Sequence, residues 1–250
     1  MLPHKHIMLL LDWYDYRIHR GVSKVAKEFG WQLNCPKNLA AHEGILKGWQ
    51  GDGCIALLDN DQTLEHFSKL KIPLIDLGLR NHLLEIPRII TDNYKIGKLA
   101  AEHFRDYGYR EVFVIDHGNN AMYRERYDGL KNSVESGGGK VTLLKRASNI
   151  QNELIDELRQ ISANRGIKLE EQSIGFFAYH DTMAAEMISL CLRYKLRIPE
   201  NIAILGVDND DLINGGLSVE LSSVDSDQEG LGTDAARLLS VLLDLSLIHI

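Results

Sequence analysis

Asn201-Ile202-Ala203-Ile204-Leu205-Gly206-Val207-Asp208-Asn209-Asp210-Asp211 decides how this chain reads, because an apolar run without polar alternation ends abruptly in carboxylates and an amide. A strand with no polar face is covered on both sides, and in wound sheets such a strand delivers a site at its carboxyl end. The run predicts a core strand over 202–207, with Pro199 ending the helix before it. Asp208 is then the first residue out of the sheet.

Outward from that strand, short apolar runs recur with helical stretches between them. Residues 7–11, 31–33, 53–58, 74–77, 112–115, 141–144, 174–178 and 202–207 read as strands, and 88–90 as a short one after a loop over 79–87. The alternation predicts an α/β chain of parallel sheets wound with helices. Ile18, Val22, Val25, Ala26 and Phe29 stand at helical spacing before Gly30, which predicts an amphipathic helix over about 17–29. Thr91-Asp92-Asn93 offers capping oxygens to a helix carrying Ile96, Leu99, Ala100 and Phe104. Further helices are expected at 122–136, 149–164, 182–196 and 229–245. Crossings near residues 91–93 and 223–227 divide the chain into an N-terminal lobe, 1–91 with 227–250, and a C-terminal lobe, 92–226.

The 250 residues are 44% hydrophobic and 25% charged, which suits an ordinary globular protein and excludes a disordered one. A formal charge of −7 without a clustered basic face argues against a nucleic-acid-binding surface. The apolar run at 7–11 is too short for a signal-peptide core or a membrane span, so the expected compartment is the cytoplasm, with no membrane contact. Cys35, Cys54 and Cys191 are an unpatterned set and read as free thiols. Gly137-Gly138-Gly139-Lys140 follows a helix and precedes Val141, which makes it a turn and not a phosphate loop. No metal-ligand, nucleophile or dinucleotide spacing is present, so no metal, no cofactor and no catalytic residues are expected.

If two lobes face one another, the strand ends point into the gap between them. Those ends carry residues 12–17, 76–80, 116–126, 180–181 and 208–211, rich in carboxylate, guanidinium and aromatic groups. Such a mixture suits a sugar: a carboxylate accepts from neighbouring hydroxyls, an arginine donates from a fixed fork, and a ring covers C–H faces. Asp208, Arg126, His180, Asp12, Tyr14, Tyr16 and Arg17 are the candidate ligand-binding residues. Each has a plainer reading. Asp208 can close a turn, Arg126 can pair with Glu125 or Asp128 in solvent, and Asp181 can cap the following helix. His180 can be a buried spacer, Tyr14 and Tyr16 can pack a lobe edge, and Asp76 can satisfy backbone groups.

The run Ile198-Pro199-Glu200-Asn201-Ile202-Ala203-Ile204-Leu205-Gly206-Val207-Asp208-Asn209-Asp210, with Leu221-Ser222-Ser223-Val224, resembles the effector-binding domain of lactose-repressor-type transcription regulators. Gly51-Asp52-Gly53-Cys54-Ile55-Ala56, Ile72-Pro73-Leu74-Ile75-Asp76-Leu77, Thr91-Asp92-Asn93 and Arg124-Glu125-Arg126-Tyr127-Asp128-Gly129 extend the likeness, which is greatest to the xylose-operon regulator (XylR) branch. The resemblance implies a two-lobed periplasmic-binding-protein-like (type I) fold and a non-enzymatic sensor of xylose or a similar monosaccharide, working by ligand-dependent lobe closure. It implies that Asp208 binds effector hydroxyls and that Arg126 donates to them. His180-Asp181 stands where the family commonly has Asn-Asp, and Tyr14 lies in a loop that often reads Tyr-Gly-Arg-Gly, where this chain has Tyr16 at the arginine's place and Arg17 beside it.

The same resemblance implies a homodimer and DNA contact only through a helix-turn-helix module missing from this chain, which therefore reads as C-terminally truncated. Two rivals stand beside the sensor. A solute-binding receptor of a sugar transporter shares the fold but needs an export signal. A carbohydrate-processing enzyme could use paired carboxylates, whose separation no sequence fixes.

Overall fold

A computed structural model describes residues 4–36, 48–57, 69, 72–79, 85–116, 118–145, 150–164, 166–167 and 173–248, and the expectations for Arg80, Asn149 and residues 249–250 lie outside them. The chain forms two compact units, Met1–Thr91 with Asp227–Ile250, and Asp92–Ser226.

The first unit is built on β1 (His6–Leu11), β2 (Gln32–Asn34), β3 (Gly53–Leu57) and β4 (Leu74–Asp76), all parallel, in the order β2-β1-β3-β4. Ile7, Leu9 and Leu11 pack on one side and Met8 and Leu10 on the other, which is why β1 carries no polar alternation. Helix α1 (Tyr16–Phe29) opens on Asp15, whose side chain accepts from the Arg17 and Ile18 amides, and stops at Gly30 in the left-handed conformation with φ 67°. The returning helix Gln228–Ile248 packs against it, with Gly21 and Gly232 letting the two backbones approach. Phe29, expected on the packed face of α1, is 46% exposed and stacks on Trp31 at 5.5 Å. The strand expected at 88–90 is an isolated bridge between Asp76 and Arg88.

The second unit contains α2 (Asn93–Asp106), β5 (Glu111–Ile115), α3 (Ala121–Ser136), β6 (Lys140–Leu144), α4 (Ile150–Asn164), β7 (Ile174–Phe177), α5 (Asp181–Arg193), β8 (Ile202–Val207), α6 (Asp211–Asn214) and β9 (Ser222–Val224). Its sheet is parallel in the order β6-β5-β7-β8-β9, so the expected α/β class with a wound parallel sheet in each unit is observed. β8 is buried at every position, with Ile202 and Ile204 facing α5 and Leu205 and Val207 facing the α2–α3 side. Each fully buried aliphatic side chain of this kind contributes about 1.5–3 kcal/mol relative to exposure.

Two expectations need correction here. Leu99 is 41% exposed, because α2 turns Ile96, Ala100 and Phe104 inward and leaves position 99 on the solvent stripe. Pro199 does not end α5. The helix stops at Arg193, where Lys195 takes φ 57° and the Leu196 amide returns to the Cys191 carbonyl at 2.9 Å, burying Leu196. Gly137-Gly138-Gly139 is the helix-to-strand turn between α3 and β6, with Gly138 at φ 77°.

Candidate functional site

Strand order fixes where each sheet can hold a ligand. In β6-β5-β7-β8-β9 the chain moves one way from β5 and the other way to β7, so the switch lies between these neighbours, outside their carboxyl ends. That edge delivers Asp116 after β5, the first turns of α3, His180 after β7, and Asp208 after β8.

Arg126 occupies the second turn of α3 and is only 1% exposed, against the plainer reading of a solvent-facing arginine paired with Glu125 or Asp128. Its Nε donates to Asn93 Oδ1 at 2.9 Å and its Nη1 to the Tyr179 carbonyl. Nη2 stands 3.8 Å from Asp208 Oδ1. The guanidinium is thus fixed by α2 and by the end of β7, with one nitrogen turned toward the tip of β8. Burial lowers its pKa and the nearby Asp208 opposes that shift. Glycines make the placement possible: a Cβ at Gly97 would overlap the Arg126 carbonyl, and one at Gly129 the Tyr94 carbonyl, so α2 and α3 cross backbone against backbone.

His180, and not Asp181, caps α5. The Met183 amide donates to His180 Nδ1 at 3.1 Å, which leaves the proton of the neutral ring on Nε2. Burial lowers the His180 pKa, Asp208 raises it and Arg126 lowers it, so the ring stays neutral and offers one donor. Tyr123 lies beside it at 6.0 Å between ring centroids, with its own ring stacked on Tyr179 at 4.6 Å. Asp181, the first residue of α5, is buried and accepts from Ser223 Oγ at 2.6 Å and from the Asp210 amide at 2.7 Å. Burial pushes its carboxyl up to about 6.

Asp208 begins a turn at φ 101°, followed by Asn209 at φ 48°. Its amide donates to the Val224 carbonyl at 2.9 Å, and its Oδ1 accepts from Ser226 Oγ at 2.9 Å. The turn reading holds for the backbone, which closes on Val224, while the carboxylate stays beside Arg126. Arg126, His180 and Asp208 are therefore brought together, as a buried fork, a neutral imidazole and a carboxylate.

In the first unit the residues after β1 form a separate set. Asp12 is exposed and Tyr14 is 42% exposed, its hydroxyl 2.9 Å from His19 Nδ1. The Tyr16 ring lies under Arg17 and Arg20 at 5.7 and 5.6 Å. Arg17 is buried and grips Asp15 through Nε at 3.1 Å and Nη2 at 2.6 Å. Asp76 accepts from the Gly78 amide at 2.8 Å and from Arg88 Nε at 2.7 Å, the backbone-satisfying role weighed for it.

Asn93, Ser223 and Ser226 are not among the candidates read from sequence, and Asp181 is read there only as a helix cap, although these four hold the candidates in place. Asn93 and Ser223 lie in the quoted Thr-Asp-Asn and Leu-Ser-Ser-Val motifs, which was the available signal. No helix among the described residues is long and apolar enough to cross a membrane.

Comparison with known proteins adds one family match, one sequence relative and two structural likenesses. The family model described as "Periplasmic binding protein-like domain" matches residues 101–246. The xylose operon regulatory protein of Escherichia coli (strain K12) is 26% identical over 261 aligned residues, covering 92% of this chain and 61% of that protein; the chain thus spans about three fifths of that relative's length. Among solved structures, the transcription regulator CcpA of Lactococcus lactis superposes with a TM-score of 0.76 at 19% identity, over 96% of this chain and 91% of that one. A periplasmic binding protein/LacI transcriptional regulator from Alkaliphilus metalliredigens complexed with D-xylulofuranose gives 0.75 at 19%, over 96% and 91%. At such identities a structural likeness bears on the fold alone.

Proposed function

The chain belongs to the periplasmic binding protein-like domain family, and from that premise we propose that it is the sugar-sensing effector-binding part of a bacterial transcription regulator. D-xylose or a similar monosaccharide is the proposed effector. The observation that carries this reading is the convergence of Arg126, His180 and Asp208 at one sheet edge. A neutral polyol with adjacent hydroxyls can accept from Arg126 Nη2 and His180 Nε2 while donating to Asp208. The likeness to xylose operon regulators supports the choice of sugar.

Asp12, Tyr14 and Tyr16 supply further contacts from the other lobe, with Arg17 acting through its pair with Asp15. The effector binds the closed arrangement of the lobes better than the open one, and the shift in population is passed to a second copy and to a separate DNA-binding module in the cytoplasm. Binding, not turnover, is the work of the site. A wrong sugar leaves buried donors or acceptors unpaired, at about 1–3 kcal/mol each.

Calorimetry with D-xylose tests the proposal. Saturable binding is expected for the wild type and none for Asp208→Ala, whose circular dichroism should match. Unchanged affinity in Asp208→Ala would refute the site, and consumption of D-xylose by the purified chain would replace the sensor with an enzyme.

A further inference from the structure

Asn209 and Asp208 both lie in the left-handed half of backbone space, with φ 48° and 101°, and neither is glycine. Such a turn persists only where its surroundings hold it. The tip of β8 is held from α5. Asp181 Oδ2 accepts directly from the Asp210 amide at 2.7 Å, and Oδ1 accepts from Ser223 Oγ at 2.6 Å, while that hydroxyl in turn accepts from the Asn209 amide at 2.9 Å. The two oxygens of one buried carboxylate thereby fix the amides of both residues that follow Asp208. Gly206 is the matching accommodation in β8, since a Cβ there would overlap Asp181 Oδ1.

We propose that Asp181 is a positioning residue for the candidate sugar site, aiming the Asp208 carboxylate through the backbone of Asn209 and Asp210 and loosening it when protonated. The inference deepens the sugar-sensing reading and rests on it only for the identity of the ligand. Neutralising the carboxylate turns one of its two acceptor oxygens into a hydroxyl, so both arms cannot be held at full strength. The groups facing Asp181 fit such a role. Burial presses it toward protonation, the Ser223 hydroxyl and the Asp210 amide favour the charged form, and Asp208 and Asp210 in the turn add a smaller push toward protonation. Arg126 on α3 is a further charge within its reach, and His180 precedes it on its own helix. The carboxyl midpoint near 6 puts the change inside an accessible pH range.

The test follows the backbone amide resonances of Asn209 and Asp210 from about pH 7.5 to about pH 5 without sugar, in a His180→Asn parent, whose position 180 does not titrate, and in that parent with Asp181→Asn or Ser223→Ala added. Both amides should titrate together in the parent and neither in the Asp181→Asn chain. Ser223→Ala, which cuts one arm only, should remove the response of Asn209 and keep that of Asp210. Amides that do not move, or that titrate identically without the Asp181 carboxyl, would overturn the proposal. In parallel, in chains that keep His180, the weakening of D-xylose affinity across the same range should be roughly fivefold greater in wild type than in the Asp181→Asn chain. Titrating amides with no heat from D-xylose would uphold the positioning role and count against that sugar, whereas sugar binding over silent amides would sink the positioning role alone.

Discussion

Asn93 Oδ1 accepts from Arg126 Nε at 2.9 Å, tying the first residue of α2 to the second turn of α3. The same guanidinium reaches the Tyr179 carbonyl and faces Asp208, so one buried side chain joins two helices to the ends of β7 and β8. A ligand at this edge meets a donor whose direction is already fixed, which lowers the ordering cost of binding.

Arg126→Ala should therefore act on the fold as well as on binding. It leaves Asn93 Oδ1 and the Tyr179 carbonyl without this donor and Asp208 without its nearby cation. The expected loss is on the order of 3–5 kcal/mol in urea denaturation. Arg126→Lys should recover only part of it, because an ammonium cannot span the fork. A loss below about 1 kcal/mol for the alanine variant would show that the guanidinium does not carry the junction.

Gly97→Ala should also destabilise, for a steric reason. Its Cβ would meet the Arg126 carbonyl and the Leu130 amide at the α2–α3 crossing. Overpacking of this kind costs about 1–3 kcal/mol. Gly137→Ala is the contrast: its Cβ would come no nearer than 3.4 Å to a neighbour, and its unfolding free energy from urea denaturation should stay within about 0.5 kcal/mol of wild type.

How much of this was legible in sequence depends on the range of the interactions concerned. β1 and β8 declared themselves because burial on both faces demands an unbroken apolar run. Asp15 and Asp92 cap helices within their own segments, and Asp92 stood in the predicted capping triplet. Asn93 gave no sign of its arginine, since its partner lies 33 residues away, and Ser223 is 42 residues from Asp181. β9 escaped because three residues with two serines at a sheet edge carry no periodic signal. The cap of α5 was assigned to Asp181 because aspartate is the commoner cap. Tertiary packing draws that carboxylate to Ser223 and Asp210 and leaves the cap to His180.

His180→Ala should lower stability by about 1 kcal/mol through loss of the cap on α5, and His180→Asn, which keeps an acceptor for the Met183 amide, should restore most of it. Thermal melting of both variants above pH 7 makes the comparison with the imidazole neutral. Equal melting temperatures for alanine and asparagine would mean that Nδ1 contributes nothing to the helix.

The pH dependence of stability gives the last prediction, and its sign follows from Asp181. The carboxyl's pKa is about 6 in the folded chain against an ordinary aspartate value of 3.8, so the folded state binds the proton more tightly than the unfolded one. Its contribution is fully favourable below the unfolded value and is lost as pH rises through about 6, with a cost on the order of 3 kcal/mol at neutrality. His180 acts oppositely. Its folded pKa lies below 6.5, so its contribution is present above 6.5 and is lost as pH falls through the folded value. The two effects overlap in wild type and separate in a difference. The stability of Asp181→Asn minus that of wild type, from urea melts at each pH, carries whatever constant offset the amide introduces plus the Asp181 titration. That difference should favour the variant most above pH 7 and shrink steadily toward pH 4. A difference that stays level, or that grows on acidification, would mean that burial does not raise this carboxyl.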